Sequence, residues 1–507
     1  MTIQPEARAF AKAYDAGRPQ VVWTTLVADV ETPVSAMLKL AAGRPNSFLL
    51  ESVEGGATRG RYSLIGLLPD LIWRCRGHQA EINHRALEDA ETFTPCALPT
   101  MEALRAVIAE SKIDLPDGLP PMSAGLVGYL GYDMVRLVEA LPDANPDPIG
   151  IPDSMFMRPT IMAVFDNIRD TVTIVTPVRP QAGVNADEAY AAARQRLAGI
   201  IADLDQAVPH RADDALPPAL PQAVSNVTPE EYMAMVRKAK EYILAGDIFQ
   251  VVLGQRFRVP FTLPPLSLYR ALRRINPSPY LFYLEFGGFA LVGSSPEILV
   301  RLSQGKVTIR PIAGTRKRGA DDAEDRALAA DLLADPKERS EHLMLLDLGR
   351  NDVGRVAKTG SVKVTDQYFI EYYSHVMHIV SNVEGDLSSD HDAMDALMAG
   401  FPAGTVSGAP KVRAMEIIDE LEKERRGFYA GGIGYIGANG DMDTCIALRT
   451  VLVKDGVMYA QAGAGIVADS DPMSEHQECL NKAQGPIRAA EEAVRFATSN
   501  ETLSLRR

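Results

Sequence analysis

The segment TPEEYMAMVRKAKEYILAGDIFQVVLGQR, residues 228–256, leads from a helical pattern directly into a strand pattern. The cap-like TPEE opens helical spacing of apolar residues and predicts a helix over 228–245. The β-branched run that follows predicts a strand over 250–256. The segment therefore indicates a fold of mixed α and β structure.

The flanking sequence extends the same mixture in both directions. On the N-terminal side a helix is predicted over 186–204, with strands at 21–27, 68–74, 161–166 and 171–175. On the C-terminal side strands are predicted at 280–286, 290–293 and 306–310. Between the halves, DQAVPHRADDALPPALPQAV is rich in Pro and Ala, which predicts a linker over 205–224.

The bulk properties favour chemistry on small molecules. The chain has 507 residues with a formal net charge of −14, which disfavours nucleic acid and anionic membrane as partners. Its 4 cysteines have no paired spacing, so neither a disulfide framework nor a zinc site is expected. We find no export leader and no run of about 18 apolar residues. A soluble protein of the cytoplasm is the expectation.

Two acidic residues occur together on the segment DPKERSEHLMLLDLGR, residues 335–350. Its Asp-Pro start is typical of a helix N-terminus, and its nearly all-round apolar character predicts a buried helix. At about 100° per residue, Glu338 and Glu341 share a stripe with Leu345 and Leu348 and should point inward. The alternative is a solvated face with ordinary acids, which the apolar stripe disfavours.

A second acidic pair lies near the C-terminus. Ser474 and Gln477 fit a capping box, so a helix is predicted from Ser474 with Glu475, Glu478 and Lys482 on one face. Four carboxylates from two helices suit a hard divalent cation such as Mg²⁺, and Lys482 suits an anionic substrate group. A surface turn with solvated charges remains the alternative, because this spacing of acids is common on helices.

Three Gly-containing segments are predicted to be turns whose backbone N–H groups could hold an anion: PIAGTRKRG (311–319), GTVSGAPK (404–411) and QAGAGIV (461–467). Ordinary tight turns are the alternative for any one of them. His378 lies in YYSHVMHIVS (372–381), where alternation with Val376 and Val380 predicts a half-buried side chain. That pattern fits a general acid or base and equally a core histidine with its hydrogen bonds satisfied.

Taken together, these segments resemble the chorismate-utilising enzymes, and within them the large subunits of anthranilate synthase, over roughly residues 21–490. The motifs that carry the resemblance are GDIFQVVLGQRF (246–257), NPSPYLFYL (276–284), GSSPEILVR (293–301), PIAGTRKRG, DPKERSEHLMLLDLGRNDVGRV (335–356), YYSHVMHIVS, GTVSGAPKVRAMEII (404–418), GGIGYIG (431–437), DTCIALRT (443–450), QAGAGIV and SEHQECLNKA (474–483). The resemblance implies a large α/β domain around a chorismate cleft, over 225–495. It also implies a smaller α/β regulatory part over 20–204.

The resemblance assigns roles to the acidic residues. Glu341 and Glu478 would be the principal Mg²⁺ ligands, supported by Glu338 and Glu475 directly or through water. The metal would polarise the ring carboxylate of chorismate while the 4-hydroxyl leaves. Glu297 would protonate that leaving oxygen, which requires a raised pKa.

The resemblance also assigns the substrate contacts. His378 would transfer a proton during addition or during the later loss of pyruvate. Tyr429 and Arg449 would bind the enolpyruvyl carboxylate, Arg449 as a fork of donors. The rest of the cleft would be formed by Thr405, Ala313, Gly314, Thr315, Gly463, Ala464, Gly465 and Lys482.

Two positions separate members of the family. Relatives that add water carry a Lys where this chain has Gln250, so ammonia is the expected nucleophile. Relatives that make the para product carry a nucleophilic Lys where this chain has Ala313, so the ortho product, anthranilate, is expected. The alternatives are an aminodeoxychorismate synthase and a catalytically silent tryptophan-binding regulator of the same fold.

LLES (49–52), RYSLIG (61–66) and NPSPYLF resemble the tryptophan feedback site of the family. The implied inhibitor contacts are Leu50, Glu51, Ser52, Pro279, Tyr280 and Leu281. Glu51 would pair with the ammonium of tryptophan, and Leu281 stands where Met is frequent. A strand end packed between domains is the alternative.

A glutaminase nucleophile is missing from the sequence, since no Cys stands in a Gly-x-Cys-x-Gly elbow. Use of glutamine would therefore need a partner. The resemblance implies a separate glutamine amidotransferase subunit that supplies ammonia, in a heterotetramer of two large and two small chains.

Overall fold

The structure is a computed structural model that describes residues 2–42, 44–54, 58–143, 145–209, 222–373 and 376–504. The α-helices in these ranges are α1 (Ala7–Asp15), α2 (Pro33–Leu40), α3 (Thr100–Glu110), α4 (Ala186–Leu204), α5 (Pro229–Ala245), α6 (Pro265–Ile275), α7 (Asp322–Ala334), α8 (Pro336–Gly354), α9 (Ala393–Gly400), α10 (Lys411–Leu421) and α11 (Pro472–Ser504). Short 3₁₀ turns occur at Tyr132–Leu137 and Gly404–Val406. Within the described ranges, none of the helices has the length and apolar character needed to cross a membrane.

The strands of the N-terminal half are β1 (Gln20–Val27), β2 (Ser47–Glu54), β3 (Thr58–Arg76), β4 (Gln79–Asn83), β5 (Thr94–Pro95), β6 (Gly125–Leu130), β7 (Ser154–Asp166) and β8 (Thr171–Val178). Those of the C-terminal half are β9 (Val224–Ser225), β10 (Gln250–Pro260), β11 (Tyr280–Glu285), β12 (Ala290–Ser295), β13 (Ile298–Ser303), β14 (Lys306–Ile309), β15 (Ile312–Lys317), β16 (Lys363–Tyr372), β17 (Val376–Asp386), β18 (Gly408–Ala409), β19 (Gly432–Gly437), β20 (Met442–Ile446), β21 (Thr450–Lys454) and β22 (Val457–Ile466). The mixed α and β class is confirmed: a large antiparallel sheet is flanked by helices.

Local capping explains why the helix predictions were accurate. At the start of α5 the Thr228 hydroxyl accepts from the Glu231 amide at 3.2 Å, and the Glu231 carboxylate accepts from the Thr228 amide at 2.8 Å. This capping box satisfies two amides that the first helical turn leaves unpaired. At the other end Gly246 adopts φ 86°, a left-handed C-cap that favours glycine.

Strands from the two halves of the sequence pair with one another. Leu281 of β11 lies opposite Glu51 of β2, and Ile433 of β19 lies opposite Tyr129 of β6. The predicted division into 20–204 and 225–495 therefore separates two stretches of sequence that share one hydrogen-bonded sheet. Helix α4 ends at Leu204, as expected. Most of the predicted linker, residues 210–221, lies outside the described residues.

Two predicted strands are longer in the structure than alternation indicated. β3 and β7 pair over most of their lengths, and every residue of β7 is buried. A strand buried on both faces has no alternation of polar and apolar residues to mark its ends. The prediction at 161–166 accordingly captured only the second half of β7.

The predictions of turns at PIAGTRKRG and QAGAGIV were wrong. Ala313, Gly314 and Thr315 belong to β15, and Gly463, Ala464 and Gly465 belong to β22. Gly463 and Gly465 are required because side chains of neighbouring residues come close to their backbone, not because the chain reverses there. A Cβ on Gly465 would lie 2.5 Å from the Gln250 side-chain nitrogen, and one on Gly463 would lie 2.8 Å from the Tyr429 hydroxyl.

The two acidic helices differ in detail from their predictions. α8 begins after Asp335 as expected, but it buries only one face, and Leu343, Asp347 and Arg350 are exposed. α11 begins at Pro472 rather than Ser474, and Asp471 accepts from both the amide and the hydroxyl of Ser474 at 2.9 Å. The predicted box of Ser474 and Gln477 missed this cap because Asp can accept from the same amides as Ser.

Candidate active site

The four predicted metal-binding glutamates come from α8 and α11. Glu338 and Glu341 are half-buried, and they share their stripe with the buried Leu345, as the periodicity predicted. Burial raises the pKa of Glu341, and negative charge on Glu338, Glu478 and Glu475 raises it further. The carboxylates of the two helices therefore influence one another directly.

Each helix contributes one glutamate that already has a cationic partner. Glu338 accepts from Arg316 at 3.0 Å, and Glu478 pairs with Lys482 at 2.7 Å. Glu341 accepts a long hydrogen bond from Gln250 at 3.4 Å. As their side chains stand, no three or more of the described His, Cys, Asp and Glu residues are grouped closely enough to hold a metal ion. The donor chemistry nevertheless fits a hard cation, because all four groups offer carboxylate oxygens and Glu341 lies within electrostatic reach of the other three.

Glu297 is an acid kept in its protonated form by burial. It follows β12, and only 7% of its surface is exposed. Burial raises its pKa to about 8, against the opposing effects of the Thr405 hydrogen bond and the charges of Arg449 and Lys482. The Thr405 hydroxyl donates to its carboxyl group at 3.0 Å. At neutral pH Glu297 is therefore a proton donor in a fixed orientation.

His378 is held in one tautomer by the neighbouring strand. It lies on β17 opposite Thr315 of β15, and its Nδ1 lies 3.0 Å from the Gly314 carbonyl oxygen and 3.1 Å from the Thr315 hydroxyl. A nitrogen that contacts a carbonyl oxygen carries the proton, so Nε2 has the free lone pair. Burial lowers the pKa of His378 to about 4, which keeps the ring neutral. The predicted half-burial is confirmed, and the geometry suits a base.

Arg449 lies where β20 gives way to β21, with a strained backbone. Its φ is 48°, in the left-handed region that a non-glycine residue adopts at a cost. Its guanidinium makes no hydrogen bond or ion pair with any other described residue. Burial lowers its pKa, while Tyr373 and Glu297 act in the opposite direction. A half-buried cation with free donors is suited to a carboxylate.

The remaining predicted substrate contacts lie along β10 and β22. Gln250 is buried, and its side-chain oxygen has no hydrogen-bond partner in the part of the chain that the structure describes. Lys482 donates to the Gly463 carbonyl at 3.0 Å, and Tyr429 is buried beside Gly463. Ala464 is different: its side chain points into the core beside Val251 and Leu253. Only its backbone could contribute to a ligand site.

The predicted inhibitor residues line a single cavity of about 490 Å³. All six of them contribute to its wall, although they come from strands about 230 residues apart, because β2 and β11 are hydrogen-bonded neighbours. Glu51, however, is already paired: it accepts from Tyr269 at 2.5 Å and from two nitrogens of Arg273 at 2.6 and 2.9 Å. In this arrangement its carboxylate is not free for an ammonium group.

Sequence reasoning missed several polar residues of this cavity. Asp443 accepts from Tyr280 at 3.0 Å and pairs with Arg301 at 2.9 Å, and all three line the wall. Tyr373 and Arg310 line its other side. Asp443 and Tyr373 stood inside motifs that carried the resemblance, DTCIALRT and YYSHVMHIVS. Membership in these two motifs is the sequence feature that could have identified both residues.

The chain belongs to the family of chorismate binding enzymes, whose model matches residues 49–488. It is 58% identical to anthranilate synthase component 1 of Cereibacter sphaeroides over 489 residues, covering 96% of this chain and 98% of the relative. It is 50% identical to anthranilate synthase component 1 of Pseudomonas putida, covering 91% and 93%.

Solved structures agree with this assignment. Anthranilate synthase component I from Streptococcus pneumoniae superimposes with a TM-score of 0.74 at 38% identity, covering 84% of this chain and 92% of that one. The menaquinone-specific isochorismate synthase from Escherichia coli shares the fold, with a TM-score of 0.69 at 18% identity over 96% and 100% of the two chains.

Proposed function

We propose that this chain is the chorismate-converting component of an anthranilate synthase, a Mg²⁺-dependent lyase that makes anthranilate and pyruvate for tryptophan biosynthesis in the cytoplasm. The observation that carries the proposal is Glu297, a buried acid with a raised pKa. Near it lie the neutral His378 and Arg449, whose guanidinium has no partner among the described residues. Relatives of nearly the same length, named anthranilate synthase component 1, support the choice of reaction.

The side chains divide the chemistry as follows. Arg449 and Tyr429 bind the enolpyruvyl carboxylate and place the 4-hydroxyl near Glu297. Glu297, oriented by Thr405, gives its proton to that hydroxyl, which leaves as water while ammonia bonds to the ring. Nε2 of His378 then accepts the C–H proton from the ring carbon that carries the new amine, and the ether bond to the enolpyruvyl group breaks as the ring becomes aromatic. The released enolpyruvate takes up a proton at its methylene carbon and becomes pyruvate.

Two cleft residues favour ammonia and the ortho product. Gln250 has no basic group that could activate water, and its unpartnered oxygen is an acceptor for an N–H donor such as ammonia. Ala313 on β15 has no amine for attack on the ring. Gln250 thus disfavours addition of water, and Ala313 disfavours formation of the para product.

The glutamates of α8 and α11 would hold Mg²⁺, with Glu341 and Glu478 as principal ligands and Glu338 and Glu475 in support. Bound there, Mg²⁺ supplies Lewis-acid polarisation of the substrate's ring carboxylate. Lys482 would leave Glu478 and turn to the substrate. Glutamine amidotransferase subunits would deliver the ammonia in a heterotetramer, and L-tryptophan would occupy the cavity between β2 and β11 as feedback inhibitor.

The reaction itself is tested with the purified chain. With chorismate, Mg²⁺ and an ammonium salt it should form anthranilate, identified by its fluorescence and by chromatography against the para isomer. Glutamine in place of ammonium should give no product. Formation of the para isomer, or turnover on glutamine by the chain alone, would show that the proposal is wrong.

The metal site is tested by Glu341→Gln, with Asp347→Asn as a matched control on the exposed face of α8. Loss of one carboxylate should raise the Mg²⁺ concentration for half-maximal activity at least tenfold. Calorimetric titration of Mg²⁺ into the substrate-free protein should show the same weakening. Equal Mg²⁺ binding by the two variants would exclude Glu341 as a ligand.

A further inference from the structure

Tyr373 lies between the 490 Å³ cavity and His378 of the candidate active site. It follows β16, is 93% buried and lines the 490 Å³ cavity together with Arg310 and Ile312. On its other side the edge of its ring meets the His378 imidazole, with ring centres 5.3 Å apart and planes at 69°. The phenol also lies within electrostatic reach of Arg449 and Glu297. One side chain is therefore part of both walls.

The hydroxyl of Tyr373 is anchored by a chain of hydrogen bonds that leads to Arg310. It donates to Glu371 at 2.9 Å, and the other oxygen of Glu371 accepts from Arg310. Burial raises the pKa of Tyr373, so the phenol keeps its proton and remains a donor. Arg310 and Tyr373 both face the cavity, which means that a ligand there would contact two of the three members of this hydrogen-bonded chain.

The ring of Tyr373 packs against the ring of His378. The His378 imidazole is held at Nδ1 by Gly314 and Thr315. The direction of Nε2 then depends on what packs against the side of the imidazole ring. Tyr373 supplies that packing as an edge-to-face contact, a geometry worth about 0.5–1.5 kcal/mol beyond area burial. Glu371, which accepts from Tyr373, lies directly opposite His378 in the β16–β17 pair.

We propose that Tyr373 is a positioning residue that aims Nε2 of His378 into the cleft, and that its anchor on Glu371 and Arg310 transmits occupancy of the 490 Å³ cavity to the reaction. The coupling part rests on the proposed function, because it takes L-tryptophan as the occupant. A ligand that displaces Arg310 or Glu371 draws the hydrogen-bonded Tyr373 hydroxyl along with them, and the ring that orients His378 moves in turn. Coupling of this kind needs no displacement of substrate.

Steady-state kinetics with ammonium separate the ring from the hydroxyl. Tyr373→Leu removes the edge contact and should lower kcat at least tenfold, with KM for chorismate within twofold of the native value. Tyr373→Phe keeps the ring and should restore most of that loss. Tyr372→Phe, at the exposed neighbouring position, is the control and should leave both constants unchanged. Near-UV circular dichroism checks that each variant is folded.

Native kcat in a folded Tyr373→Leu variant would overturn the positioning role. If Tyr373→Leu does not fold, Tyr373→Phe still tests the anchor: L-tryptophan should bind it within twofold of native affinity by calorimetry, yet inhibit it at least fivefold more weakly. Native inhibition of Tyr373→Phe would overturn the coupling. A native chain that makes anthranilate but does not bind L-tryptophan refutes the coupling and leaves the reaction standing. A chain that makes no anthranilate refutes the proposed function first.

Discussion

At the scale of single residues, burial sets the protonation states that the proposed chemistry requires. Glu297 and His378 face the same cleft, and removal from water shifts their pKa values in opposite directions, to about 8 and about 4. At pH 7 the acid is therefore protonated and the imidazole is neutral. A neutral Glu297 does not compete with the carboxylates of the proposed substrate for Arg449. A neutral His378 does not compete with Arg449 for those carboxylates.

This arrangement predicts the pH dependence of kcat. The active form of Glu297 is the acid, so activity should decline as the pH rises through about 8. The active form of His378 is the neutral ring, which is lost only as the pH falls towards about 4. With free NH₃ held at constant concentration, the profile should be flat from pH 5 to 7 and fall on the alkaline side.

Replacement of Glu297 tests whether this residue causes the loss of activity at alkaline pH. Glu297→Gln should lower kcat by about 10²–10⁴-fold and abolish the alkaline limb of the pH profile, because the amide cannot supply a proton. Glu285→Gln is the matched control, since burial raises the pKa of Glu285 as well, but its carboxylate accepts from the amides of Asn46 and Gly287. An alkaline limb that persists in Glu297→Gln belongs to another group.

At the scale of secondary structure, a bulge in β15 brings the sheet close to the acidic helix. The pairing of β15 with β17 shifts register between Ala313 and Thr315, and Gly314 there adopts φ 74°. A Cβ on Gly314 would lie 3.1 Å from the Glu338 carboxylate and 3.2 Å from the Ile379 side chain. The bulge also directs the Gly314 carbonyl to His378.

Gly314→Ala should therefore reduce stability and activity together. The left-handed backbone alone costs about 1–3 kcal/mol for a residue with a Cβ, and contact with Glu338 should disturb the acidic cluster. Gly305→Ala provides the comparison, because Gly305 has φ 75° and open space around it. Both variants should unfold at lower denaturant concentration, but only Gly314→Ala should lose kcat. Equal activities would mean that the bulge does not position the site.

The elements that were predicted well are those whose signals are local. The starts of α4 and α5 follow from Asn185 and Thr228, each of which makes a capping box with a glutamate three residues on. The strands containing Gly463 and Gly465 could not be predicted, because Gln250 and Tyr429, which exclude a Cβ there, are distant in sequence. The pairing of Glu51 with Arg273 was hidden for the same reason. The inward stripe of α8 was visible because it repeats within one helix.

At the scale of the whole molecule, the two sequence halves form one hydrogen-bonded body. Besides the β2–β11 and β6–β19 pairs, Arg105 pairs with Asp395 at 2.7 Å and Arg136 with Asp419 at 2.5 Å. Separating the halves would leave β11 and β19 with unpaired edges, which is costly for buried strands. We expect the halves to unfold together rather than as independent domains.

The two tryptophans make this expectation measurable, because Trp23 and Trp73 both lie in the N-terminal half. Leu397→Ala truncates a fully buried residue of α9 in the other half, which should cost about 2–5 kcal/mol. In a single cooperative unit, the midpoint of tryptophan fluorescence in urea should fall as far as that of far-UV circular dichroism. Leu244→Ala, at a site that is 80% exposed, should move neither midpoint. A fluorescence midpoint that stays at its native value in Leu397→Ala while the dichroism midpoint falls would show that the N-terminal half unfolds on its own. The shared sheet would then not couple the two halves of the sequence.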